Sequence, residues 1–160
     1  MRKFFLLLAI TASILLGTQA QSSSPRTETG LTHRAVERFM TLWLATQNRH
    51  DFGGYSRMYA TDFVGIKRTT SGNTKRFTRK SWLNDRRPMM APSRHLHITA
   101  ENIRTRIHNG WAEVSFDQYF RTKNYGDWGP KILWVRATKS GPQVFHEELR
   151  ASHPLPDADC

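Results

Sequence analysis

His95 and His97 stand one residue apart in a stretch that alternates like a strand, so both imidazoles fall on one face. Two ligands are too few to close a zinc site, and no spacing ties His146 or Glu148 to them. Exposed strand histidines are the expectation, and no metal is assigned. His146 and Glu148 share one face of the last strand-like stretch while Glu147 takes the other. A histidine beside a carboxylate can move a proton, but no recognisable motif surrounds this pair. Serine chemistry has no footing either. The chain lacks a Gly-x-Ser-x-Gly elbow, and Ser22 to Ser24 fall in a polar stretch. Cys160 is the only cysteine, so no disulfide forms within the chain and the fold rests on packing. No residue is assigned a catalytic role, and no cofactor is expected.

The elements that would hold such groups can be read from periodicity. Val36, Phe39, Met40, Trp43, Leu44 and Gln47 recur at helical spacing, which predicts a first helix capped by Thr32. Asp51 starts a second, short helix whose face carries Phe52, Tyr55, Met58 and Tyr59. Gly53-Gly54 weakens it, each glycine costing about 1 kcal/mol against alanine. Residues 62–69 alternate like a short strand. Thr78 caps a third helix that carries Trp82 and reaches toward Arg86, before Pro88 and Pro92 end it. The second half reads as four strands, 95–106, 111–123, 128–138 and 143–151. Asn109-Gly110 separates the first two, a hairpin signal because both positions tolerate positive φ. Ala112, Val114, Phe116, Gln118 and Phe120 share one strand face; Glu113, Ser115, Asp117 and Tyr119 share the other. Three helices followed by a strongly bent antiparallel sheet make an α+β domain whose helices cover one side of the sheet.

The ends of the chain differ from this block. Residues 1–20 run from Arg2 and Lys3 through an apolar stretch, Phe4 to Gly17, to the small-residue site Thr18-Gln19-Ala20. That is the order of a secretory signal peptide, and its apolar run is too short for a comfortable membrane span. The expectation is cleavage after Ala20 and a secreted or periplasmic protein with no transmembrane segment in the mature chain. Residues 21–31 read as a Ser-rich lead-in, 32–152 as one domain, and 153–160 as a disordered tail. Without Arg2 and Lys3 the chain holds 22 Lys and Arg against 13 Asp and Glu, a formal charge of +9. Such an excess favours anionic surroundings: phospholipid head groups, wall polymers or an acidic protein. Nucleic acid is not expected, because the basic residues are dispersed and no zinc-finger or aromatic RNA-binding signature accompanies them.

Particular residues along this order point to a known superfamily. They are Trp43; Asp51-Phe52 with Tyr55, Tyr59 and Asp62-Phe63; Lys80-Ser81-Trp82 with Arg86; and Phe116-Asp117-Gln118-Tyr119-Phe120. Lys131 with Leu133, and Val144-Phe145-His146-Glu147, complete the set. Over about residues 35–150 the chain resembles the nuclear-transport-factor-2-like (SnoaL-like) superfamily. It is most similar to the exported domain of that superfamily associated with bacterial L,D-transpeptidase-related proteins. It departs from them in having Pro142 where a tryptophan often opens the last strand, and no transpeptidase domain, so transpeptidase activity does not carry over.

The resemblance implies a cone of curved sheet closed by three helices. Tyr55, Tyr59, Trp82, Arg86, Gln118, Lys131 and Glu147 would look into its pocket or rim it. Arg86 and Lys131 would then grip an anionic group; the plainer expectation is an internal ion pair and hydrogen-bond set that satisfies these side chains. The implied function is a non-catalytic binding or accessory module at the bacterial cell envelope, acting on an anionic envelope component or a small molecule. The alternative is an isomerase, cyclase or dehydratase using the cone as its active site, for which Asp117, facing away from Gln118, is poorly placed. Sheets of this superfamily often pair back to back. On that ground Leu133 and Val135 are expected to face outward, and a homodimer through the sheet is a third expectation.

Overall fold

The computed structural model describes residues 30–155; the expected signal peptide 1–20, the expected lead-in as far as residue 29, and residues 156–160 with Cys160 lie outside the described residues. Helix α1 (His33–Asn48) begins where Thr32 accepts from the Ala35 amide at 3.2 Å. Its buried side is the stripe read from spacing, Val36, Phe39, Met40, Trp43 and Gln47. Asp51 caps α2 (Phe52–Arg57) by accepting from the Gly54 amide at 2.7 Å. Tyr59, expected on that helix, instead opens strand β1 (Tyr59–Arg68). The helical spacing misleads here because the helix ends at Met58, yet the two rings still meet, Tyr55 and Tyr59 centroids lying 4.8 Å apart.

A turn through Gly72, with φ at +81°, leads into a strand the periodicity did not announce, β2 (Thr74–Thr78). Lys75 and Arg76 interrupt any alternation there, and only Phe77 packs inward, 5.3 Å from the Trp82 ring. Basic side chains suit an edge strand, because they discourage pairing with another chain. Thr78 then caps α3 (Arg79–Arg86) through a capping box with Ser81.

Four long strands follow: β3 (Leu96–His108), β4 (Trp111–Thr122), β5 (Gly126–Arg136) and β6 (Gln143–Leu149). At the first hairpin only Gly110 takes a positive φ, +83°; Asn109 does not. The chain does not leave the domain at residue 152. His153–Pro154 forms a short strand β7 against Asp127 and Trp128 of β5.

The curved sheet has the order β2-β1-β6-β5-β4-β3, with β7 on β5. It is mixed rather than wholly antiparallel, because β1 and β6 run parallel. A parallel neighbour requires a long crossover, and the chain from β2 to β5 supplies it. Ala112, Val114, Phe116, Gln118 and Phe120 face the helices and are buried, as their alternation predicts. Leu133 and Val135 do not face outward. Leu133 pairs with Val114 and Val135 with Ala112, which puts both on the inner face at 0% exposure.

The outer face instead carries Trp111, Trp128 and Trp134, with Phe145 beside them. Each of these tryptophans has a histidine ring against it: His108 at 3.9 Å, His153 at 5.0 Å and His146 at 4.4 Å respectively. Among the described residues no helix is long and apolar enough to cross a membrane.

Candidate functional site

The seven side chains assigned to the cone come from α2, α3, β1, β4, β5 and β6, and they fall into two linked groups. The deeper group is a closed hydrogen-bond network around Glu147. Trp43 Nε1 donates to the Tyr59 hydroxyl at 3.0 Å and Trp82 Nε1 to the Tyr55 hydroxyl at 3.1 Å. The Tyr59 hydroxyl lies 2.7 Å from both the Tyr55 hydroxyl and Glu147 Oε2. Tyr59 has one proton for two neighbours, and the carboxylate is the stronger acceptor. Tyr59 therefore donates to Glu147 and Tyr55 donates to Tyr59. Lys131 Nζ donates to the other carboxylate oxygen, Oε1, and sits 5.6 Å and 5.9 Å from the Trp43 and Trp82 ring centroids.

This network is dry. Tyr55, Tyr59, Trp43, Trp82, Lys131 and Glu147 are each at most 2% exposed. Gly65 makes room for it, since a Cβ there would stand 2.9 Å from the Trp82 ring. Burial pushes the Lys131 ammonium down to about 8 against the pull of Glu147. Burial, and after it the Glu147 charge, drives both tyrosine hydroxyls well above their usual range. Trp43 is a full member of the network although its spacing announces only a core residue; an apolar stripe does not reveal an indole N–H aimed at a hydroxyl.

The second group lines a cavity of about 220 Å³ above the network, among α3, β1, β4, β5 and β6. Arg86 and Gln118 open onto it, with Lys67, Met89, Asp127 and Leu149 around them. Arg86 is 7% exposed and its guanidinium lies 4.4 Å over the Trp82 ring. Its Nη1 reaches Met89 Sδ at 3.7 Å, a weak acceptor. Its Nε has no hydrogen-bond partner, the nearest acid oxygen being that of Asp85 at 3.9 Å.

Across the cavity, burial and then the nearby Arg86 charge hold the Lys67 ammonium below its usual range. Asp127 is already engaged, accepting from the Tyr125 hydroxyl at 2.9 Å and from Ser152 Oγ at 2.5 Å. Two cations, Lys67 and Arg86, thus line one cavity with Gln118 and the Asp127 carboxylate, a net positive charge in the lining. Lys131, anticipated beside Arg86, is committed to Glu147, and the cation that shares this cavity with Arg86 is Lys67. Lys67 had a sequence signal: it shares a strand face with Phe63 and Gly65.

Tyr55, Tyr59, Lys131 and Glu147 do not line this cavity. The groups best suited to general acid–base work are therefore sealed beneath it. Asp117 faces outward and accepts from Asn102 Nδ2 at 2.7 Å. Glu148 also faces outward, 3.6 Å from Arg68 and 3.9 Å from Arg150. His95 and His97 are exposed, and among the described residues no group of three or more His, Cys, Asp or Glu side chains could hold a metal.

No protein-family model matches the chain, and no curated protein sequence does. Solved structures share its architecture. Bd1075 of Bdellovibrio bacteriovorus superposes with a TM-score of 0.61 at 18% identity, covering 76% of this chain and 41% of Bd1075. The chain thus spans about two-fifths of that protein. A protein of the NTF2-like family from Streptomyces avermitilis, named only provisionally a dehydratase, gives 0.62 at 15% identity, over 76% of this chain and 94% of its own. An NTF2-like protein from Cytophaga hutchinsonii gives 0.61 at 12% identity, over 78% of this chain and 100% of its own. At these identities the likeness is one of fold: an NTF2-like α+β cone, its curved sheet open at the edges.

Proposed function

We propose that this protein is an exported, non-catalytic binding module that holds a small anionic molecule in its cone and acts at the bacterial cell envelope. One observation carries the reading: Arg86, buried to 7% exposure, lines the cavity and has an Nε without a hydrogen-bond partner, the Asp85 carboxylate standing off at 3.9 Å. A buried unsatisfied donor costs about 1–3 kcal/mol, more when charged, and an anion accepting from it recovers that loss. The cavity volume of about 220 Å³ is below the ~300 Å³ at which pockets for drug-sized ligands begin. The ligand is accordingly small, of the size of a phosphate ester or a short carboxylate. The leader at residues 1–20 and the +9 charge of the remainder support export and an anionic setting.

The isomerase, cyclase or dehydratase alternative has less support. Its natural base, Glu147, is bonded on both oxygens and shut away from the cavity.

Calorimetric titration with inorganic phosphate and with succinate tests the binding claim. Saturable binding that Arg86→Met weakens at least tenfold, with melting temperature unchanged or raised, is the expected result. Equal binding by Arg86→Met, or none by the unaltered protein, overturns it. Retention on purified peptidoglycan that declines across a salt series tests the envelope setting; no retention at low ionic strength counts against it.

A further inference from the structure

A second concavity lies at the other end of the strands. Tyr59 and Gln143 begin β1 and β6 and border it, whereas Lys67 and Leu149, in the wall of the cone cavity, stand at or near their far ends. It is a groove of about 680 Å³ between α1, α2, the start of β1 and the turn joining β5 to β6. That volume falls within the ~300–1,000 Å³ typical of small-molecule sites.

Its floor is apolar. Phe39 and Met58 are buried at its base, and Leu42 flanks them at 56% exposure, the most exposed large hydrophobic side chain among the described residues. Its charge is net positive, three arginines against one carboxylate. Arg38 from α1, Arg57 from the end of α2 and Arg79 from the start of α3 all border the groove. Arg79 is pinned by donating to backbone carbonyls, from Nε to Tyr59 at 3.0 Å and from Nη2 to Ser56 at 2.8 Å. No acid neutralises it there. Asp51, the one carboxylate in the lining, already accepts from the Gly54 amide.

An apolar trough rimmed by three guanidinium groups is complementary to a molecule with a hydrocarbon chain and a negative head. We infer that this groove binds a single-chain anionic amphiphile as a monomer, a fatty-acid-type carboxylate whose alkyl chain lies along Phe39, Leu42 and Met58 with its head among the arginines. The site is separate from the cone and does not depend on what the cone holds. A lone lipid rather than a membrane surface fits because Phe39 and Met58 lie at the base of a recess, with Leu42 alone exposed beside them.

Calorimetric titration of the protein with straight-chain carboxylates from hexanoate to dodecanoate, each below its critical micelle concentration, tests this. One molecule should bind per chain. A fully buried methylene tightens binding about fourfold, so a gain of two- to fourfold per added methylene is expected until the groove is full. Dodecyltrimethylammonium, with the same chain and the opposite head charge, should bind at least tenfold more weakly than dodecanoate.

The double variant Arg38→Gln/Arg57→Gln should lose most of that preference, and Leu42→Glu should flatten the dependence on chain length. These residues are exposed, so melting temperatures should stay near that of the unaltered protein. Arg86→Met should leave dodecanoate binding untouched, which separates this groove from the cone. Affinity independent of chain length, equal binding of the cationic amphiphile, insensitivity to Arg38→Gln/Arg57→Gln, or association with micelles and vesicles only would each overturn the inference.

Discussion

Replacing Lys131 with methionine removes the cation from a pair whose side chains are 2% and 0% exposed. The Glu147 carboxylate then keeps the Tyr59 hydrogen bond and loses the Lys131 ammonium, in a setting that water does not reach. Breaking a buried pair from one side costs about 3–5 kcal/mol, because an uncompensated charge is left in a low-dielectric interior. Glu147→Gln should cost somewhat less, about 2–3 kcal/mol, since the stranded ammonium retains an amide oxygen and the two indole faces nearby. Lys131→Met/Glu147→Gln removes both charges of the pair and should cost less than the two single changes added together, by about 2–3 kcal/mol.

For a domain of this size 3–5 kcal/mol corresponds to roughly 10–20 °C in melting temperature. Urea unfolding followed by tryptophan fluorescence measures all four proteins, and Trp43 and Trp82 report from within the cluster itself. Single variants that lose under about 1 kcal/mol, or losses that simply add, would refute the claim that Lys131 and Glu147 form one coupled, buried unit.

Above pH 10 the unfolded tyrosines ionise while Tyr55 and Tyr59 in the fold do not, because burial and the Glu147 charge hold their hydroxyls up, so stability falls as pH rises past 10. Thermal melts from pH 7 to 11 should therefore decline on the alkaline side; a melting temperature that stays level through pH 11 contradicts this. Gly129→Ala would set a Cβ 1.9 Å from the Ala151 carbonyl oxygen. Backbone must move to relieve that contact, so a loss of about 3 kcal/mol in urea unfolding is expected, and a change below 0.5 kcal/mol would mean that the β5 terminus is looser than described.

Local signals in this chain read well and non-local ones do not. The caps at Thr32, Asp51 and Thr78 are legible because each is a side chain satisfying an amide three residues away. The faces of β4 are legible because apolar and polar residues alternate cleanly along it. In β5 the run Ile132-Leu133-Trp134-Val135 is apolar on both faces, so a period of two carries no phase, and only pairing with Val114 decides that Leu133 points inward. The parallel contact of β1 with β6 joins residues some eighty positions apart and leaves no local trace.

The same division holds in the site. Arg86, Gln118, Lys131 and Glu147 can be named as cone residues from the family pattern, yet nothing in their spacing tells that Lys131 is bonded to Glu147 while Arg86 Nε has no hydrogen-bond partner. Partner choice among buried charges is settled by three-dimensional distance alone.

The most direct test of the anion site is the nuclear magnetic resonance signal of the Arg86 Nε–H, followed while inorganic phosphate or succinate is added. A saturable downfield shift of that one resonance, with the same dissociation constant as calorimetry, is the outcome predicted for an Nε–H that has no hydrogen-bond acceptor until the anion binds. A resonance that stays in place while the anion binds elsewhere would contradict it.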